Sequence, residues 1–361
     1  MPEEVHTHLE AALADELASR DAVAFVHVGT RRDPDVRYCP PVEHGGDDAV
    51  GRAVHAVAFD PDRETWLSHS SESTAHPGEA VADALADRGL TGTVLTPSRL
   101  PHDAALFLEQ AGFPLASTDV LERARATKTR AERDRIAAAQ RAAGAGVRAG
   151  VELLAEATVV DPDGDLEVGG TELTLERIRV AIDEAIVAAA AFPAGKTRIE
   201  PGTDDGTLRA GTPLTLSVAP RGPGGYYGGL TRTVVVESDG GTERRGHVAV
   251  THALRSSEAM LTADSQSVTA VEADLEAEVR AFGFPEADDV DTRVTGVGLE
   301  QYEPPLEGSE TIGPGSVVRL EAAARVGDGW IRLADVLAVD DDGVEWLSAP
   351  SRALEPSALL E

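Results

Sequence analysis

The sequence predicts a mixed α/β (α+β) protein in two parts, a small α/β domain over residues 1–128 and a larger domain over 129–361 built from two similar halves. Three observations predict it. Short apolar runs alternate with amphipathic helices before residue 128. A long helix opens near residue 129. After it, an order of helix, helix and strands occurs twice, over 129–240 and 243–350.

In the first part, Glu3 to Arg20 reads as a helix because Leu9, Leu13 and Leu17 recur at i, i+4 and i+8. Ala22–Val28, Val54–Phe59 and Thr93–Thr96 read as buried strands. Glu79–Arg88 and Ala104–Ala111 read as helices, the second stopped by Gly112. Pro40–Asp48 and Ser68–Gly78 read as loops, and 114–128 as a connecting strand. In the second part, Thr129 and Glu132 have the spacing of a capping box, and the helix runs on to about Ala157. A second helix follows Thr174, with Ile178, Ile182 and Ile186 on one face. Pro213–Val218 and Leu230–Glu237 read as strands around the glycine-rich 221–225. The later half repeats the order with helices near 243–262 and 267–282 and strands at 292–299, 317–324 and 330–339.

Composition narrows the function. Of 361 residues, 63 are acidic and 32 basic, a formal net charge of −31. No strongly basic face is available to neutralise phosphates, so a nucleic-acid partner is excluded. No apolar run approaches the roughly 20 residues of a membrane span. One cysteine, Cys39, rules out an intrachain disulfide framework. The acidic N-terminus lacks an apolar signal region, so the expected location is the cytoplasm. Only Lys128 and Lys196 are lysines; that scarcity, with the dense carboxylates, points to a high-salt cytoplasm. Cys39, His44, His69 and His76 read as polar loop residues, not a metal site. Gly222–Gly229 reads as a hairpin connection, because no Lys-Ser/Thr follows to make a phosphate loop. Gly296-Val297-Gly298 lacks the third glycine of a dinucleotide fingerprint.

Several segments, in order, resemble the pita-bread metallopeptidases: Xaa-Pro aminopeptidase, prolidase, methionine aminopeptidase and creatinase. Lys128-Thr129-Arg130-Ala131-Glu132 resembles the entry helix of that family. Gly225-Tyr226-Tyr227-Gly228-Gly229-Leu230-Thr231-Arg232-Thr233 resembles its Gly-Tyr-x-x-Asp-x-x-Arg-Thr hairpin. Thr295-Gly296-Val297-Gly298 with Glu303-Pro304 resembles its His-Gly-x-Gly and His-Glu-x-Pro segment. Gly313 to Glu321 resembles the strand ending in Glu-Pro-Gly, and Arg332-Leu333-Ala334-Asp335 the final Arg-x-Glu-Asp. Arg37-Tyr38 resembles a loop of the small N-terminal domain found in aminopeptidase P, prolidase and creatinase. The resemblance implies a pita-bread C-terminal domain with pseudo-twofold halves behind a creatinase-like N-terminal domain, and commonly a homodimer.

It also implies five metal ligands for two divalent ions such as Mn, Co or Zn, whose bridging hydroxide attacks the peptide carbonyl. Carried over, the positions are Val218 and Gly229 for two aspartates, Thr295 for the histidine, and Glu321 and Ala334 for two glutamates. Shifting the first by one gives Ser217, again no carboxylate. Four of five ligands are thus replaced, so neither a bound metal, another cofactor nor a catalytic residue is expected. Creatinase's metal-free histidine route lacks its histidine between Phe192 and Leu214. Tyr226, Tyr227, Arg232, Glu303 and Arg332 are candidates to line a remnant pocket, with Arg332 and Glu321 an ion pair across neighbouring strands. The reading is a non-catalytic relative that binds a peptide, a small molecule or a partner protein. Its rivals are a hydrolase with a non-standard active site and a purely structural role in assembly.

Overall fold

The computed structural model describes residues 3–40, 52–74, 76–160, 164–203 and 206–361. His44 and the loop reading beyond Pro40 lie outside the described residues. The chain forms two compact units, Met1–Ala131 and Glu132–Glu361.

The first unit runs α1 (Glu3–Ser19), β1 (Ala22–Thr30), α2 (Pro34–Tyr38), β2 (Val54–Asp60), β3 (Thr65–Ser70), α3 (Pro77–Asp87), β4 (Thr93–Thr96), α4 (His102–Gln110), β5 (Leu115–Ser117) and α5 (Val120–Ala126). Its sheet has the order β3-β2-β1-β4-β5. β2 runs antiparallel to β1, whereas β4 runs parallel to it. Val5, Leu9, Leu13 and Leu17 are the buried stripe of α1, as their spacing requires. Two readings are corrected here. Ser68–Ser70 belong to the strand β3, and Pro77 and Gly78 open α3; the sheet-edge position of β3 tolerates the serines that hid it. Within 114–128 the strand is only β5, because Val120, Leu121 and Ala124 recur at helical spacing and are buried on α5.

The second unit opens on α6 (Arg130–Ala155). A small sheet of β6 (Thr158–Val159), β7 (Leu166–Val168) and β8 (Thr171–Glu172) follows, then α7 (Leu175–Ala188), β9 (Arg198–Pro201), β10 (Pro213–Val218) and β11 (Leu230–Val235). The later half brings α8 (Thr242–Ala263), β12 (Gln266–Ser267), α9 (Val268–Ala281), β13 (Val290–Gly296), β14 (Thr311–Ile312), β15 (Val317–Val326), β16 (Gly329–Asp340), β17 (Gly343–Trp346) and α10 (Pro356–Leu360). The main sheet has the order β13-β15-β16-β11-β10-β9, with β17 added beside β16. That order is a mirror: β9, β10 and β11 of one half face β13, β15 and β16 of the other about a seam between β11 and β16.

Each half buries its own helix pair against its own strands. In the first, Val147, Val151 and Leu154 of α6 meet Ile178, Ile182 and Ile186 of α7 over Leu214, Leu216 and Leu230. The Thr174 hydroxyl caps α7 by accepting from the Arg177 N–H at 3.2 Å. Gly150 lets α6 approach α7 closely, since a Cβ there would lie 2.9 Å from Ile182. In the second half, Val250, Leu254 and Leu261 of α8 pack with Val271, Leu275 and Val279 of α9 over β15 and β16. Ser267 caps α9 through the Ala270 N–H. Among the described residues, no helix is long and apolar enough to cross a membrane.

Candidate functional site

Residues directly opposite one another on paired strands point to the same face of a sheet. One such row crosses the main sheet from edge to edge. Arg198 pairs with Ser217, Ser217 with Thr231, Thr231 with Ala334, Ala334 with Glu321, and Glu321 with Arg293. The row therefore ends in arginines on both sides and holds hydroxyls, an alanine and one carboxylate between them. In a flat sheet its five strand spacings, at about 4.8 Å each, would span about 24 Å. The next row has the opposite ends: Glu200 pairs with Thr215 and Thr215 with Thr233 in one half, while Arg332 pairs with Ala323 and Ala323 with Asp291 in the other.

Over this face lies a cavity of 450 Å³. Five basic side chains line it, Lys196, Arg198, Arg293, Arg319 and Arg332, with three acidic ones, Glu200, Asp291 and Glu321. Ser217 and Val218, Thr292, Gln301 and Tyr302 complete the wall.

The centre of the floor is an ion cluster. Arg319 and Arg332 each donate to one oxygen of Glu321. Arg332 also reaches Asp291 at 2.8 Å, and Arg319 donates to Thr231 Oγ1 at 3.0 Å. Thr231 Oγ1 in turn shares a hydrogen bond of 2.9 Å with Ser217 Oγ. Burial works against the charge on Glu321, but the guanidiniums of Arg319 and Arg332 outweigh it and hold the carboxyl below its usual range. Burial likewise opposes the charge on Arg332, and Glu321 together with Asp291 more than offsets it.

Arg319 has room because residue 229 is glycine. A Cβ at Gly229 would lie 2.9 Å from Arg319 Cδ and 3.3 Å from its Nε. The space a side chain at 229 would enter is filled by the arginine. Thr295 sits opposite Arg319 in the register, and its buried Oγ1 has no hydrogen-bond partner among the described residues.

Of the five positions carried over from the family, Val218 and Glu321 line the cavity. Gly229 and Thr295 stand beside Arg319, and Ala334 pairs with both Thr231 and Glu321. The register thus brings all five to one region of the sheet. Val218 is also a buried member of the core of the first half. Among the pocket candidates, Arg332 lines the cavity and makes the ion pair with Glu321 that the strand pattern suggested.

The other four candidates lie outside the cavity wall, for reasons of strand direction and burial. Arg232 follows Thr231 and points to the opposite face. There it bonds Asp335 at 2.7 Å and the carbonyls of Pro350 and Ser351 at 2.9 and 3.0 Å. Tyr226 is buried against α6, donating to Glu132 Oε1 at 3.1 Å; burial first, then Glu132, pushes its phenol well above the usual range. Tyr227 uses its N–H on the Gly298 carbonyl at 2.8 Å. Glu303 is buried, its carboxylate over Gly298 and accepting from the Glu300 N–H at 3.2 Å.

Sequence reasoning missed Lys196, Arg198, Arg293 and Arg319. A signal existed: Arg293 and Thr295, like Arg319 and Glu321, stand two apart on strands and so share a face.

The sequence profile of Metallopeptidase family M24 matches residues 134–341, more than half of the chain. The chain belongs to this family. Its fold is similar to the prolidase from Pyrococcus horikoshii OT3, with a TM-score of 0.73 at 17% identity, covering 96% of this chain and 99% of that one. It is similar also to the Xaa-Pro dipeptidase from Bacillus anthracis, with a TM-score of 0.74 at 14% identity, covering 97% and 99%. Against proline aminopeptidase P II from Yersinia pestis the TM-score is 0.71 at 15% identity, covering 100% and 99%. No curated protein matches the chain in sequence.

The expectation that no metal or other cofactor serves this chain is corrected by these findings. The family the chain belongs to is one of metallopeptidases, so membership speaks for a metal and not for its absence. The described residues also assemble one group of potential ligands, His27, Asp33 and Asp35 of the first unit, with ligand atoms within 4.8 Å of one another. His27 Nε2 lies 2.8 Å from Asp33 Oδ2, and Arg125 donates to Asp35 at 2.8 Å.

Proposed function

We propose that this chain is a prolidase-like member of its family that binds a peptide or small-molecule ligand in the cavity of its second unit without cleaving it. The observation that carries the reading is Arg319. Its side chain fills the space in front of Gly229, and with Arg332 it engages both oxygens of Glu321, the one carboxylate among the five carried-over positions. A pair of divalent ions supplies a low-pKa hydroxide and a Lewis acid when bound. In this reading Glu321 does not serve as a general base, because both of its oxygens accept from guanidiniums. The floor instead offers fixed positive charge and hydroxyls, which orient an anionic or polar ligand. The rival reading, a hydrolase with a different solution, draws on Glu321 being kept ionised at the cavity floor.

The test is turnover of Ala-Pro and Ala-Pro-Ala in molar salt with Mn present, beside the melting shift each peptide causes. The expected outcome is no turnover, with a stabilisation that grows with peptide concentration and reaches about 2.7 kcal/mol at a hundredfold excess over Kd. Turnover that Glu321→Gln abolishes would refute the reading.

A further inference from the structure

We propose that the ligand of this cavity is a small dianion carrying oxyanion groups, a phosphate monoester or a dicarboxylate, gripped between Arg198 and Arg293 at the two ends of the cross-sheet row. The inference rests on the binding reading above and names its ligand class.

The first argument is charge. Across the chain, basic and acidic residues stand at 32 to 63, but around the cavity they stand at 5 to 3. A surface drawn at random from this composition would be acidic. The cavity is basic, and one of the chain's two lysines is in its wall.

The second argument is which charges are already used. The two inner guanidiniums, Arg319 and Arg332, are matched by Glu321 and Asp291. The three outer cations, Lys196, Arg198 and Arg293, have no ion-pair partner among the described residues. Arg293 lies over the Tyr302 ring at 5.3 Å, which occupies its face and leaves its N–H edge for a carboxylate or phosphate oxyanion. Against these three stands Glu200, the one lining carboxylate without an ion pair among the described residues. The balance, 3 − 1 = +2, suits two negative charges.

The third argument is symmetry. Arg198 on β9 and Arg293 on β13 occupy mirror places in the sheet order, so they present like groups from opposite edges of one cavity. A dianion offsets both guanidiniums; a monoanion offsets one. The −31 charge of the whole chain repels anions at long range and is screened in molar salt, whereas direct guanidinium–oxyanion hydrogen bonds act at contact. Selectivity for the dianion therefore comes from these short contacts.

The experiment titrates the full chain with inorganic phosphate, succinate and acetate at one fixed KCl concentration, by calorimetry and by melting shift. At least one dianion is expected to bind about tenfold or more tighter than acetate, and the double variant Arg198→Gln with Arg293→Gln to weaken it by about tenfold or more, a factor equivalent to about 1.4 kcal/mol. A preference for phosphate assigns a phosphate monoester, and a preference for succinate a dicarboxylate. Neither dianion exceeding acetate, or a double variant that binds like the wild type, would overturn the inference. Turnover of Ala-Pro by the same preparation would instead overturn the non-cleaving reading, so the two failures are distinct.

Discussion

Glu321→Gln isolates the part of the structure on which the functional reading depends. The wild-type carboxylate neutralises two guanidiniums at once, and the three side chains are 13% (Glu321), 7% (Arg319) and 19% (Arg332) exposed. In the variant, Arg332 keeps Asp291 at 2.8 Å. Arg319 keeps only the Thr231 hydroxyl and loses its one carboxylate. One stranded buried charge costs about 3 kcal/mol, the lower end of the usual range for breaking such a pair. For a unit the size of residues 132–361, each kcal/mol moves the melting midpoint by about 2–4 °C, so the expected fall is about 6–12 °C. The measurement is calorimetric melting of wild type and variant at matched KCl, with and without a chelator. A companion variant adding Arg319→Met should recover most of the loss, because an ion pair removed whole leaves no orphan. Acidity supplies a second check. The Glu321 carboxyl sits below its ordinary value of 4.5, so its stabilisation is complete above that pH and fades as pH falls through the lower folded value. Wild type and Glu321→Gln should converge in acid. An unchanged midpoint in the variant, or a loss seen only when Mn is present, would refute the account of Glu321 as the partner of two arginines.

Gly229→Ala should destabilise the second unit by about 1–3 kcal/mol, because its Cβ would meet Arg319 Cδ at 2.9 Å, and Arg319→Ala in the same chain should relieve most of that cost; urea midpoints of the four proteins measure the coupling. Circular dichroism across a KCl series should show cooperative melting in molar salt and a loosened chain in dilute buffer, where the screening length reaches about 30 Å at about 0.01 M; an unchanged melting temperature there would contradict the reading of the −31 charge.

Much of the scaffold was legible because its signals are local. The i, i+4 leucines of α1, the isoleucines of α7 and the hydroxyls of Thr174 and Ser267 mark helices by spacing and capping alone. β3 and β9 were hidden: both have exposed, polar positions, and their strand character comes from pairing with β2 and β10. Gly229, Thr295, Glu321 and Ala334 follow from motifs, and the register sets them in one region of the sheet. The chemistry of that region was not legible. Lys196 and Arg198 lie far from Arg293 and Arg319 in sequence, and only the register across six strands sets the two arginine-bearing edges opposite each other. Arg232 shows the converse: a motif residue that looked like pocket lining spends its N–H groups on Asp335 and on the carbonyls of Thr231, Ala334, Pro350 and Ser351, away from the cavity wall.

The mirror order of the sheet leaves one narrow join. Between β11 and β16 the paired register is the single bridge Thr231↔Ala334. On one face of that bridge stands the cavity; on the other, Arg232 clamps Asp335 and the carbonyls of Pro350 and Ser351, while Arg352 takes the second Asp335 oxygen. The segment 350–352 therefore acts as a splice plate behind the join. It shares that task with Thr233, whose Oγ1 donates to the Arg332 carbonyl and accepts from the Arg332 N–H across the same join, so a chain segment that never enters the cavity helps hold the strands that floor it.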